Sequence, residues 1–131
     1  MALKFDLVSP ERLLFSGDVR QVVVPGMDGE FTVLENHAPL VSTLKPGVVT
    51  VTGADGKSER IFVGGGFAEV NPKGLTILAE EAMPVAELSP EKIARDIKDA
   101  EEDLADAKDD ASRQRAHQLI GHLKELQSAV R

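Results

Sequence analysis

Residues that break regular structure are confined to one part of the chain, and this limits the folds open to it. All seven prolines and ten of the eleven glycines lie at or before Pro90, and only Gly121 follows. Because Gly and Pro are the residues that most often interrupt helices and strands, we expect short secondary-structure elements in the first part of the chain and longer ones after it. We place the boundary near residue 88, which gives domains 1–87 and 88–131.

Short apolar runs in residues 1–87 predict β-strands. Apolar and charged residues alternate from Leu3 to Leu7, and aliphatic or β-branched runs recur at Val22–Val24, Val48–Thr52, Ile61–Val63 and Leu75–Leu78. Turn signals separate these runs at intervals of about 8 to 12 residues, a spacing typical of a β-sandwich or barrel. Asp55-Gly56 predicts a hairpin with a type I′ turn, in which both central residues have positive φ.

Residues 88–131 predict two helices. Ser89 is suited to the N-cap and Pro90 to the first helical position. Two apolar seams, separated by Asp109–Ser112, have alternating spacings of three and four residues; they consist of Ile93, Ile97, Ala100, Leu104 and Ala107, then Ala116, Leu119, Leu123, Leu126 and Val130. The short break between the seams favours an antiparallel hairpin.

The composition excludes several classes of protein. The 131 residues include no cysteine, which rules out a disulfide scaffold, a zinc ribbon and a thiol nucleophile. A net charge of −7 disfavours nucleic acid as a partner. No apolar run approaches the roughly 18 residues needed to cross a bilayer, and Met1–Leu7 is too short and too charged for a signal peptide. We expect a soluble protein, or one that reaches a membrane only through its partners.

Local motifs give no support for catalysis or metal binding. His117 and His122 are on different helix faces and His37 is distant in sequence, so they do not predict a metal site. Gly53–Ser58 resembles the end of a P-loop, but two residues rather than four separate its glycines, and a strand follows. Gly64–Gly66 precedes no helix and predicts a bulge or a close backbone approach. No set of residues supplies a nucleophile, a base and an oxyanion hole, so we predict no catalytic residue and no cofactor.

The least regular stretch of the body runs from Gly29 to Leu40. Asn36 readily takes the left-handed conformation, and Pro39 forces Ala38 to be extended, so His37 is expected in a defined loop. Two interpretations are open. The stretch is either a corner between strands, with His37 bonded to nearby backbone, or a recognition loop.

Seven short motifs lie in order along residues 8–79. They are Val8–Glu11, Phe15–Gly17, Gly29-Glu30, Asn36–Leu40, Lys45–Gly47, Gly65–Val70 and Leu75–Ala79. Their order and spacing, followed by a helical hairpin, resemble the epsilon subunit of F-type ATP synthases over nearly the whole chain. The resemblance implies a mainly β protein with helices: an N-terminal ten-stranded flattened β-sandwich and a C-terminal antiparallel two-helix hairpin.

The resemblance also implies a noncatalytic function. In this family the subunit lies with the gamma subunit in the central stalk, its sandwich rests on the c-ring, and it couples rotation to ATP synthesis. The acidic residue after glycine in the family's first long turn contacts the c-ring, which matches Glu30 after Gly29. The loop with His-Ala-Pro lies at the same end and adds Glu35 and His37. Since the chain has no presequence, we expect a bacterial protein at the cytoplasmic face of the inner membrane, held there as part of F1.

The family's hairpin can extend toward the catalytic alpha and beta subunits and restrain ATP hydrolysis. Relatives that bind ATP carry Ile/Leu-Asp-x-x-Arg-Ala, whereas this chain has Ser89, Lys92 and Ile93 at the Asp, Arg and Ala positions. We therefore predict no nucleotide site. Because the first helix is acidic, the implied inhibitory contacts to the catalytic subunits fall to four cations: Arg113, Arg115, Lys124 and Arg131. The alternative, an ATP-responsive regulatory binding module, predicts saturable heat in calorimetry with Mg-ATP.

Overall fold

A computed structural model of the chain describes residues 3–130. They form nine strands: β1 Leu3–Val8, β2 Leu13–Gly26, β3 Gly29–Leu34, β4 Leu40–Leu44, β5 Gly47–Gly53, β6 Ser58–Val63, β7 Gly66–Asn71, β8 Gly74–Ala79 and β9 Ala82–Pro84. A short 3₁₀ helix, Val85–Glu87, and two α-helices, α1 Pro90–Asp106 and α2 Asp110–Ala129, follow them. Two compact units divide the chain, the first ending at Val85 and the second beginning at Ala86. This division lies two residues before the boundary drawn from the sequence.

The long strand β2 organises the first unit. Its first half pairs with β1 from Leu13 to Val19, and its second half lies between β3 and β5. Strands β8, β7 and β4 continue the sheet beyond β1, while β6 and β9 continue it beyond β5. The predicted β-sandwich is confirmed, but ten strands was one too many for the described residues. β2 stays extended across the register shift between Val19 and Gln21 and is therefore a single strand.

The core of the sandwich follows the alternation of its strands. Leu3, Phe5 and Leu7 are buried while Lys4 between them is exposed, as the pattern in β1 predicts. The rings of Phe5 and Phe15 lie 5.5 Å apart between centroids and are tilted by 32°. Aromatic pairs favour such offset or tilted geometries, so this contact helps to fix β2 against β1.

The β5–β6 hairpin is confirmed, but its turn is not of type I′. Gly56 has a φ of +84°, whereas Asp55 is not among the residues with positive φ. The carboxylate of Asp55 accepts a hydrogen bond of 3.0 Å from the backbone N–H of Lys57, a local bond that Asp makes in ordinary turns. Gly53 accepts from the N–H of Gly56 and donates to Lys57. The loop therefore has a single left-handed residue, as in three-residue hairpin loops.

The second unit is the predicted helical hairpin. Ser89 Oγ accepts from the N–H of Lys92 at 3.2 Å, and Asp109 Oδ1 accepts from that of Ser112 at 2.7 Å, so both helices have side-chain caps. The first seam is confirmed in its buried residues Ile93, Ile97 and Ala100. Within residues 3–130, neither helix combines the length and apolarity that crossing a membrane requires.

The second seam was predicted wrongly at one position, Leu119, whereas Ala116, Leu123, Leu126 and Val130 are buried or pack against the hairpin core. Ile120 is 8% exposed and packs in the hairpin core, whereas Leu119 is 47% exposed. Steps of three and of four residues from Ala116 both keep a side chain near the same helix face. Packing against α1 selects the step of four, and the buried stripe becomes Ala116, Ile120 and Leu123.

The cap of α2 leads us to expect that acid destabilises the hairpin. The backbone N–H and then the hydroxyl of Ser112 hydrogen-bond to Asp109, and they lower the pKa of its carboxyl below the ordinary value of 3.8. Because this pKa is depressed, the stabilisation that the ionised Asp109 gives to the folded hairpin is fully present above the unfolded-state pKa. It is lost as the pH falls through the folded-state value. We expect the helical circular dichroism of the wild-type chain to fall more steeply below pH 3.8 than that of Asp109→Asn.

Asp109→Asn is the matched control because Asn also caps helices but does not titrate. The two proteins share every other carboxylate, so the difference between the two curves reports Asp109. Superimposable curves between pH 5 and pH 2 would contradict the prediction.

Candidate functional site

The residues predicted to contact a partner lie along strand β3. β3 pairs only with β2 among the described strands, so no strand covers its other side. Glu30, Thr32 and Leu34 alternate along its exposed face, while Val33 is buried. Met27, in the preceding turn, and Leu34 are 57% and 50% exposed. We call this set the β3 edge; it consists of Met27, Glu30, Thr32, Leu34, Glu35 and His37.

The structure places the predicted contact residues at opposite ends of β3. Glu30 is the second residue of the strand and pairs with Pro25, whereas Glu35 and His37 follow its last residue. At about 3.3 Å per residue, Glu30 and Glu35 are separated by roughly 17 Å along the strand. The expectation that Glu30 and the His37 loop lie at one end treated Gly29-Glu30 as part of a long turn. Because β3 begins at Gly29, a full strand separates them.

The loop after β3 has the predicted left-handed residue. Asn36 has a φ of +63°, and it is the one non-glycine residue with positive φ within 3–130. The N–H of His37 donates to the carbonyl of Leu34 at 3.2 Å, and its Nδ1 lies 2.7 Å from the carbonyl oxygen of Ala38. The corner between strands with His37 bonded to nearby backbone is therefore confirmed. Recognition by this loop stays a prediction.

Sequence reasoning missed a second exposed surface, on the outer face of β4, β7 and β8. Val41 is 71% exposed, and Phe67 and Leu78 are each 55% exposed. Phe67 pairs directly with Leu78 across the β7–β8 ladder. We call this surface the outer face; it consists of Val41, Thr43, Phe67, Glu69, Thr76 and Leu78. The signal was present in the consecutive apolar pairs Phe67-Ala68 and Leu78-Ala79, which place apolar side chains on both sides of their strands.

The predicted cations of the hairpin do not form one patch. Arg113 pairs with Asp110, and Arg115 Nη2 donates to Ser112 Oγ at 3.2 Å. Arg113 and Lys124 are about three turns apart on one side of α2, whereas Arg115 lies on the other side. Arg131 is outside the described residues. Among the three cations that the structure describes, Arg113 and Lys124 therefore form a two-residue row along one side of the helix.

The residues at the degraded nucleotide motif take part in folding the helix. Ser89 caps α1, Lys92 Nζ lies 2.9 Å from Asp96 Oδ2, and Ile93 is buried in the hairpin core. No group of three or more His, Cys, Asp or Glu side chains in the described range is arranged to hold a metal ion.

Comparison with known proteins identifies the family of the chain. The family model for the ATP synthase delta/epsilon chain beta-sandwich domain matches residues 2–85. The ATP synthase epsilon chain of Maricaulis maris is 56% identical over 128 residues, covering 98% of this chain and 96% of the relative. Those of Parvibaculum lavamentivorans and Mesorhizobium japonicum are both 52% identical, over 98% of this chain and 97% and 96% of their own lengths.

Solved structures show the same fold in large assemblies. A chain in the Euglena gracilis mitochondrial ATP synthase, resolved with OSCP, F1 and c-ring, is 26% identical with a TM-score of 0.83, covering 99% of this chain and 82% of that one. A chain from the central stalk and c-ring of the Tetrahymena thermophila enzyme has a TM-score of 0.68 at 12% identity, over 100% of this chain and 98% of that one, and shows the fold alone. From the matched domain and the full-length identity, the chain belongs to the ATP synthase epsilon chain family.

Proposed function

We propose that this epsilon chain is a central-stalk subunit that couples rotation of the c-ring and the gamma subunit to ATP synthesis. It is a noncatalytic subunit of the complex. Identity to bacterial epsilon chains over 98% of the residues is the observation that carries the proposal. The bacterial relatives support a location at the cytoplasmic face of the inner membrane, where the chain would be held through its partners.

We expect the sandwich to be stiff, as this function requires. A proton moving through a membrane potential supplies about 2.3 kcal/mol per 100 mV. A flexible sandwich domain would deform under this load instead of transmitting the work. Here β2 contributes ladder hydrogen bonds to β1, β3, β4 and β5. The closely packed core between them resists deformation, so torque can pass through the first unit.

The β3 edge is the proposed c-ring contact. It offers carboxylates near both ends of β3, at Glu30 and Glu35, and exposed apolar side chains at Met27 and Leu34. A row of this length, roughly 17 Å, can span more than one helix of a ring, since packed helices lie about 8 to 10 Å apart. His37 would contribute from the loop that follows β3.

The outer face is the proposed contact with gamma, because exposed contiguous apolar side chains mark protein interfaces. The hairpin is proposed to reach the alpha and beta subunits through Arg113, Arg115, Lys124 and Arg131. The row formed by Arg113 and Lys124 supports a contact with an acidic segment. The acidic composition of α1 limits that contact to α2, and restraint of ATP hydrolysis would depend on it.

The test of this function is a double substitution at the β3 edge. With Glu30→Lys and Leu34→Glu in the assembled enzyme, we expect proton-driven ATP synthesis to fall about tenfold, the effect of roughly 1.4 kcal/mol lost at the contact. ATP hydrolysis by F1 detached from the membrane should not change, since no residue of the β3 edge belongs to a catalytic site.

Glu59→Gln is the matched control for charge, because it raises the net charge by one, as the double substitution does, and Glu59 is exposed on β6, outside the β3 edge. Normal ATP synthesis in the double variant would show that the β3 edge does not contact the c-ring. Normal, coupled ATP synthesis in membranes that lack the epsilon chain would contradict the proposed coupling function.

A further inference from the structure

Strand β3 leaves one side of its backbone free. The carbonyl oxygen of Pro25 accepts from the N–H of Lys45 at 3.1 Å, so it points away from β3. Pro25 and Glu30 therefore form a non-hydrogen-bonded pair, in which the N–H and C=O of Glu30 point away from β2. Because this direction alternates along an antiparallel strand, the backbone groups of Thr32 and Leu34 point the same way. The free side of β3 thus carries donors and acceptors at every second residue.

Most of these backbone groups have no partner. The carbonyl of Leu34 accepts from the N–H of His37 at 3.2 Å. Among the described residues, the outward N–H and C=O groups of Glu30 and Thr32 make no hydrogen bond. A row of unpaired backbone groups at a sheet edge is a template on which another strand can pair.

The usual protection against such pairing is absent from β3. Edge strands are commonly protected by Pro, by Lys, by a bulge or by being very short. The strand β9 at another edge has only three residues and ends in Pro84. By contrast, Gly29–Leu34 contains neither Pro nor Lys, and it pairs with β2 without a register shift. The free side of β3 is therefore open to a further strand.

The sequence of β3 is complementary to itself in antiparallel register. When a two-fold axis passes beside Thr32, Glu30 lies opposite Leu34 of the second copy, and the two Thr32 residues face each other. On the other face of the strand, the half-buried Phe31 lies opposite Val33. Thr–Thr and aromatic–β-branched pairs are favourable cross-strand neighbours. A register centred on Glu30 would instead oppose two carboxylates, which is destabilising.

We propose that the free chain forms a symmetric dimer in which β3 pairs with β3 of a second copy. This contact is isologous and closes the assembly at two chains. A single strand pair is a small interface, so the dimer is weak, and the net charge of −7 on each copy opposes it. The inference rests on the proposed function in one respect only: a β3 edge that binds the c-ring is closed to the second copy.

Sedimentation of the full chain tests the dimer, over about a hundredfold range of concentration because the interface is weak. We expect a monomer–dimer equilibrium whose dissociation constant falls about threefold as NaCl rises from about 0.05 to 0.5 M, since salt screens the repulsion. Thr32→Pro should raise this constant at least about tenfold, because it removes an outward N–H but no hydrogen bond to β2. A monomer under all conditions would overturn the proposal. So would an unchanged dimer of folded Thr32→Pro, which would use another surface.

A charge exchange tests the register without a proline. Leu34→Glu places a carboxylate opposite Glu30 twice in the dimer, and it should raise the dissociation constant about tenfold. Adding Glu30→Lys brings opposite charges together and should restore the wild-type constant. The control combines Leu34→Glu with Glu59→Lys, which gives the same net charge but keeps Glu30, and its dimer should stay weak. Equal association of the two double variants would overturn the proposal.

The same double variant separates this inference from the proposed function. Glu30→Lys with Leu34→Glu is expected to impair ATP synthesis in the assembled enzyme and yet to keep the dimer of the free chain. Normal ATP synthesis would contradict the c-ring contact and leave the dimer standing. Loss of the dimer would overturn this inference and leave the c-ring contact standing. Thermal unfolding of each variant verifies that it is folded.

Discussion

Replacing Gly66 with Ala is expected to lower the free energy of unfolding of the first unit by more than about 4 kcal/mol, a loss that few single substitutions reach. A Cβ built at Gly66 would lie 2.1 Å from the carbonyl oxygen of Leu78 and 2.8 Å from Cα of Ala79. Gly66 pairs with Ala79 on one side and with Leu44 on the other. Backbone therefore confines it on both sides, and neither strand can move away without breaking a ladder.

The chain contains a matched control for this substitution. Gly29 has the same φ of +134° as Gly66, but a Cβ there would meet nothing within 4 Å. Gly29→Ala should cost only the backbone strain, about 1 to 3 kcal/mol. Urea unfolding followed by far-ultraviolet circular dichroism compares the two variants, and their difference measures the steric overlap. Equal losses in both would show that the close approach at Gly66 contributes nothing.

The strands were predictable where composition and alternation agreed. Leu3–Leu7 reads as a half-buried strand because its apolar residues alternate, and the structure buries them in that order. β3 was hidden, since Gly29-Glu30 at its start and Asn36 after its end both resemble turn residues. Residues 29–34 nevertheless form a strand of the sheet because they pair with β2. A short edge strand gains its stability from pairing with its neighbour, here β2, and local propensity does not contain that information.

The same limit applies to the candidate surfaces. Glu30 could be selected because a glycine precedes it, but its separation from His37 depends on the length of β3. The outer face depends on cross-strand register, which places Val41 beside Glu69 and Phe67 beside Leu78. Register is set by which face each strand buries and by the turns between strands. The chemistry of these side chains can be read from the sequence, whereas strand pairing determines which of them are neighbours.

The helices show how packing decides between two sequence patterns. Ser89 and Asp109 could be recognised as caps because capping depends on residues within one turn. The buried stripe of α2 could not be fixed by spacing alone, since Leu119 and Ile120 both follow Ala116 at a helical interval. Contact with Ile93, Ile97 and Ala100 of α1 selects Ile120. A pair of substitutions can therefore test the packing of the hairpin directly.

Ile120→Ala is expected to melt much of the hairpin, with a cost of about 2 to 5 kcal/mol for an emptied core position. Its side chain is 8% exposed and belongs to a small cluster in which Leu123 is the other large buried residue of α2. Leu119→Ala removes a similar apolar side chain that is 47% exposed. It should change stability by no more than about 0.5 kcal/mol.

Helical circular dichroism at 222 nm, measured through a thermal scan, separates these outcomes. Ala has a higher helix propensity than either residue it replaces, so a loss of helix in Ile120→Ala must come from lost packing between α1 and α2. A similar loss in both variants, or in Leu119→Ala alone, would mean that α2 turns its other face to α1. Because the two units are separately compact, the strand signal of the first unit should persist while the hairpin melts.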